Sequence, residues 1–151
     1  LRALIYNRAS ADKVGQRVSV ESQDRENRDF CARQGWDVVA TVTDNNRSAS
    51  RWASKEREGY REIRDGLADG RWGRVDVLVA WESSRAQRNL SDFVAFRELF
   101  ERHKVLFAYR GRTYDLTSGD DRFSTGLDAL VDEREAERAR DRTLRSHRRS
   151  V

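Results

Sequence analysis

Short apolar runs alternate along this chain with longer stretches whose apolar positions recur every three or four residues. Arg2 to Tyr6, with Leu4 and Ile5 at its centre, predicts a buried first strand. Trp36 to Thr43 is rich in Val38, Val39 and Val42 and predicts a second. Val75 to Trp81 is the clearest, since a continuous apolar centre suits a parallel strand covered on both faces. Lys104 to Tyr109 predicts a fourth, and Thr113-Tyr114-Asp115 a short edge strand after the Gly111 turn. Helical spacing fills the intervals. Ser19 can cap a helix to about Gln34, with Gly35 as its stop and Gln23, Asn27 and Phe30/Cys31 on one face. A helix from about Ser54 to Asp69 turns Tyr60, Ile63 and Leu67 inward and ends at Gly70. The next carries Phe93, Phe96, Leu99 and Phe100 inward. A last helix from about Ser124 has Leu127, Leu130 and Val131 as its apolar stripe, and the stripe nearly vanishes beyond them. The pattern predicts an α/β fold: a mostly parallel central sheet of four to five strands, flanked by helices, with a long C-terminal helix. It divides into a core over 1–123 and the long helix over 124–151.

Composition narrows the partners. The 151 residues include 30 Lys+Arg and 26 Asp+Glu, a net charge of only +4. Lys13, Lys55 and Lys104 are the only lysines, so nearly every cation is arginine. Guanidinium suits forked contacts with phosphate, although a GC-rich genome also favours arginine over lysine. The single Cys31 excludes an internal disulfide and a cysteine-rich zinc site, and reads as a small buried hydrophobe. With no signal peptide and no long apolar run, a cytoplasmic location away from membranes is the expectation.

The polar residues after the strands carry the chemistry. Tyr6-x-Arg8-x-Ser10 follows the first strand, and in extended backbone Arg8 and Ser10 point to the same side. The second strand leads into Asp44 and Ser48, the third into Arg85-x-x-Arg88. Parallel strands joined by right-handed crossovers bring these ends to one edge, where ligands of open α/β sheets bind. The sequence has 2 histidines, His103 and His147, neither near a strand-end loop, so no Ser-His-Asp arrangement is available. No metal-ligand spacing and no Gly-rich phosphate loop is present, and no metal or cofactor is expected. A hydroxyl among arginines suits metal-free phosphoryl transfer, in which fixed charge neutralises the non-bridging oxygens.

These motifs together resemble the catalytic domain of the serine recombinases, the resolvase/invertase family, and most of all its large integrases. The resemblance rests on Tyr6-x-Arg8-x-Ser10, Ser19-x-x-x-Gln23, Asp44 leading to Ser48-Ala49, Arg57-Glu-Gly ahead of Tyr60, Arg85-x-x-Arg88, and Asp141-Arg142-Thr143 on the long helix. It covers nearly the whole chain and implies a resolvase-like fold. It also implies that Ser10 attacks a DNA phosphodiester and forms a 5′-phosphoserine link, followed by strand exchange and rejoining without ATP. Arg8, Arg85 and Arg88 would bind the scissile phosphate, with Tyr6, Gln23, Asp44, Ser48, Arg57 and Arg142 in support. The partners implied are double-stranded DNA and other copies of the chain, as a homodimer that assembles into a homotetramer through the long helix. Ser84 stands where many members carry Asp, and Asp141 where Glu is common, which leaves the general acid unassigned.

Beyond that helix's stripe, Arg142, Arg145, Arg148 and Arg149 form a basic end suited to the DNA backbone. The natural protein is expected to continue past Val151 into DNA-reading domains. Two other readings suit the same pattern: a non-catalytic nucleic-acid-binding or assembly module, and a flavodoxin-like nucleotide-binding domain that would lack a phosphate loop.

Overall fold

The computed structural model describes residues 1–8, 19–44, 58–81 and 90–149, with backbone alone at 58, 90–93, 132–133, 135–137, 139–140 and 143–149. The predicted residues Ser10, Ser48, Arg57, Arg85 and Arg88 lie outside the described residues, as does the proposed helix start at 54–57.

The described strands form one sheet in the order β2-β1-β3-β4-β5. They are β1 (Arg2–Arg8), β2 (Asp37–Asp44), β3 (Val77–Ala80), β4 (Leu106–Tyr109) and β5 (Arg112–Tyr114). β1 to β4 run parallel, and β5 returns antiparallel to β4. Its turn is Arg110-Gly111, with φ of 52° and 75°, the positive pair that suits a two-residue hairpin. Four described helices complete the chain: α1 (Val20–Gln34), α2 (Glu58–Asp69), α3 (Leu90–His103) and α4 (Gly119–Arg149).

Alternation along β1 sorts the core into two layers. Leu4 and Tyr6 join Ile63 of α2 and Phe96, Leu99 and Phe100 of α3 in the larger apolar cluster. Ala3 and Ile5 face the other way and join Cys31, Val77, Val79 and Ala108, with Phe30 and Trp36 against them. Burial pushes the Cys31 thiol up from its ordinary range, as the small-hydrophobe reading requires. Helix α1 is capped as its sequence predicts. Ser19 Oγ accepts the Ser22 N–H at 3.1 Å, and Gly35 closes the helix at φ 74°. At α2, Gly66 is required by contact: a Cβ there would lie 2.3 Å from the Trp72 ring.

The boundaries differ from expectation in three places. β3 is confined to Val77–Ala80, and Val75 and Trp81 flank it outside the ladder. Lys104 adopts φ 55° and terminates α3 instead of opening β4. The last helix begins at Gly119, ahead of Ser124. Asp120 and Asp121 complement the positive end of its dipole, and the Asp121 carboxylate accepts the Asp115 N–H at 2.8 Å.

The stripe of that helix needs a larger correction. Leu127, Leu130 and Val131 do not anchor it: they are 49 %, 48 % and 51 % exposed, and Phe123 is 72 % exposed. Among its described side chains the buried positions are Thr125 and Ala129, small residues that let the helix approach the body closely. Tyr109 at the end of β4 donates its hydroxyl to Asp128 at 2.6 Å and ties the helix to the sheet. Burial, then that hydrogen bond, pushes the Tyr109 phenol far above its ordinary range.

Candidate active site at the strand ends

The strand order reverses between β1 and β3, since β2 lies on one side of β1 and the later strands on the other. Chains leaving adjacent strands at such a point diverge and leave a crevice at the carboxyl ends. Arg8 pairs in register with Asp44 on β2, whereas β3 stops opposite Tyr6, where Ala80 is its last partner. The end of β1 therefore projects past its neighbour, and Asn7 and Arg8 need other partners on that side.

Helix α1 supplies them. Gln23, only 1 % exposed, accepts the Arg8 backbone N–H at 3.1 Å and donates to the Arg8 carbonyl at 2.9 Å. One side-chain amide thus does the work of a missing strand and holds Arg8 in extended geometry. One turn further on, Asn27 donates to the Asn7 side chain at 3.0 Å, and Asn7 donates to Asp24 at 2.9 Å. Arg28 joins Asp24 at 2.8 Å and reaches Thr41 of β2 at 3.0 Å. Arg8 is itself 8 % exposed, and by alternation its side chain shares the face of Leu4 and Tyr6.

On that face Tyr6 donates its hydroxyl to Asp44 at 2.9 Å, with both residues buried. The first turn of α2 closes over the pair. A Cβ at Gly59 would lie 2.9 Å from both Asp44 Cβ and Tyr6 Cε2, so the Arg57-Glu-Gly motif needs its glycine for backbone approach. The helix start also sets its positive dipole end beside the Asp44 carboxylate.

Tyr6, Arg8, Gln23 and Asp44 are accordingly brought together, as their sequence positions predict. Arg142 is not joined to them: it is exposed, about 20 Å along α4 beyond the buried Ala129 at a rise of about 1.5 Å per residue. Arg145, Arg148 and Arg149 lie on the same helix, their side chains outside the description. Sequence reading missed Asn7 and Asp24 as members of the site. The signal for Asp24 was present: it lies on a helix that carries amides where apolar residues would ordinarily face a strand. Among the described residues, no group of three or more His, Cys, Asp or Glu is placed to hold a metal ion. No described helix is long and apolar enough to cross a membrane.

A fold reversing at this point, with an arginine fixed at the reversal, defines a recognisable class. The family model for the resolvase N-terminal domain matches residues 3–151, and the chain belongs to that family, the catalytic domain of serine recombinases. Among solved structures, the N-terminal catalytic domain of TP901-1 integrase is similar at TM-score 0.65 and 20 % identity, covering 91 % of this chain and 98 % of that one. A resolvase family site-specific recombinase from Streptococcus pneumoniae is similar at TM-score 0.64 and 18 % identity, covering 99 % and 97 %. The C-terminal catalytic domain of ISC1926 TnpA, an IS607-like serine recombinase, is similar at TM-score 0.54 and 23 % identity, covering 72 % and 67 %. No curated protein matches the chain.

Proposed function

We propose that this chain cleaves and rejoins DNA at specific sites with Ser10 as the nucleophile. The observation that carries the reading is Arg8: buried at the strand-order reversal, held through its own backbone, and two residues before Ser10. A guanidinium keeps its charge at any working pH, so Arg8 offers a fixed cation where a phosphate would gain charge in the transition state. The Ser10 Oγ attacks phosphorus, the Ser10–phosphate bond forms, and the bond to the 3′ oxygen breaks. The 3′ oxygen leaves as a hydroxyl after taking up a proton. The 5′ phosphate stays on Ser10, and attack by a new 3′ hydroxyl reverses the step with no external energy source. Arg85 and Arg88 would complete the phosphate site, and Arg142, Arg145, Arg148 and Arg149 would run beside the DNA backbone. The exposed Phe123, Leu127, Leu130 and Val131 would meet the same helix of a second copy, and two such dimers would pair for strand exchange.

The test is covalent trapping, with duplexes covering the DNA on either side of the chain's own gene. The full gene product should form a denaturation-resistant adduct whose peptide maps to Ser10, with or without a metal chelator. Ser10→Ala should bind DNA as well and form none. An adduct at another residue, or an absolute need for magnesium, would refute the mechanism.

A further inference from the structure

We propose that Asn7 and Asp24 are positioning residues for Arg8, and that the hydrogen bond between them sets the direction in which the Arg8 side chain leaves the end of β1. The inference rests on the function proposed above. Successive side chains of a strand point to opposite faces, so Asn7 shares the face of Ala3 and Ile5, and Arg8 that of Leu4 and Tyr6. Asn7 thus stands where the layer beneath α1 is otherwise apolar, and it is only 1 % exposed. An apolar residue there would pack against the helix without fixing an orientation. The amide fixes one. Its oxygen accepts from the buried Asn27 at 3.0 Å, and its N–H donates to Asp24 at 2.9 Å. Asp24 is held in turn: Arg28 donates to its second oxygen at 2.8 Å and to Thr41 of β2 at 3.0 Å.

The consequence falls on the next residue. Asn7 and Arg8 lie past the ladder between β1 and β3, whose last pair is Tyr6 with Ala80. Gln23 holds the peptide groups of Arg8. Asn7 adds a second hold, one residue earlier and through a side chain. Two attachments one residue apart resist rotation about the strand axis as one alone does not. With Asn7 pinned to α1, alternation aims Arg8 at the opposite face, the face on which Tyr6 meets Asp44. Phosphoryl transfer is sensitive to such placement, since a misplacement of about 1 Å can cost about 100-fold in rate.

The experiment uses the full gene product and compares Asn7→Ala, Asn7→Asp, the swap Asn7→Asp/Asp24→Asn, and Val77→Ala, which opens a cavity in the same apolar layer away from the strand end. It reads the single-turnover rate of Ser10 adduct formation, DNA affinity and melting temperature, with rates taken where every variant is folded. Asn7→Ala should slow adduct formation by about tenfold or more at unchanged affinity, and Val77→Ala should react at the wild-type rate despite a lower melting temperature. Asn7→Asp sets two carboxylates against each other and should be at least as slow. Its rate relative to wild type should recover as pH falls from about 8 to about 6, because one shared proton restores a donor. In the swap, donor and acceptor trade places, and the rate should return to within about threefold of wild type. Asn7→Ala at the wild-type rate, an equal slowing in Val77→Ala, a swap no faster than Asn7→Asp, or an Asn7→Asp pH profile parallel to wild type would each overturn the proposal. Asn7→Ala and Val77→Ala decide the matter even where the buried carboxylate of Asn7→Asp prevents folding. Failure of the wild type to form a Ser10 adduct would overturn the function itself, and this inference with it.

Discussion

Replacing Gln23 tests how the end of β1 is held. In Gln23→Ala the Arg8 N–H and C=O both lose their side-chain partner inside a region where Gln23 is 1 % and Arg8 8 % exposed. Each buried backbone group left unsatisfied costs about 1–3 kcal/mol, so the pair implies about 2–6 kcal/mol. Water entering the space left by the side chain would satisfy part of this, which sets the expected loss at about 2–4 kcal/mol. Gln23→Leu separates the hydrogen bonds from simple loss of volume. It fills the space and admits no water, so its loss should equal or exceed that of the alanine variant. Urea unfolding followed by the fluorescence of the 4 tryptophans reads both. If the hydrogen bonds matter as argued, adduct formation by the leucine variant should also fall further than its DNA affinity. Losses below about 1 kcal/mol in both variants would show that the Arg8 backbone finds other partners, and would refute the idea of a substituted strand.

Two further outcomes follow from the last helix. The folded Tyr109 holds its proton to higher pH than the unfolded chain does, so stability should be complete below the ordinary tyrosine range near pH 10 and fall above it. Urea midpoints from pH 8.5 to 11 should decline less in Tyr109→Phe than in wild type, and parallel curves would contradict the burial of that phenol. Replacing Leu127 and Leu130 with Glu should leave the monomer's melting temperature nearly unchanged, since both are about half exposed, and should abolish self-association in sedimentation. A large drop in melting temperature would mean that these residues pack within the monomer after all.

Much of this architecture was legible in the sequence because its signals are local. Apolar runs marked the strands, Ser19 and Gly35 marked both ends of α1, and Arg110-Gly111 fits the hairpin its position implied. The inward amide face of α1 was also visible in the spacing of Gln23 and Asn27. What could not be read was which side of a helix meets the body when both sides are plausible. On α4 the large apolar residues formed the obvious stripe, yet Thr125, Asp128 and Ala129 make the contact. Periodicity reports that a face exists, and only the neighbouring surface decides what it faces.

The polar seam between β1 and α1 also determines how this domain can be recombined with its relatives. Apolar contacts are non-directional, and a helix resting on them can rotate or slide by a fraction of a turn at modest cost. Amides cannot do this, because Gln23 and Asn27 each meet a particular atom at a particular distance. Helix α1 is therefore keyed to its strand. In chimeras, β1 and α1 form a single block to be exchanged together, and a one-residue insertion between Gln23 and Asn27 would turn one of the two keys away from its strand by about 100°.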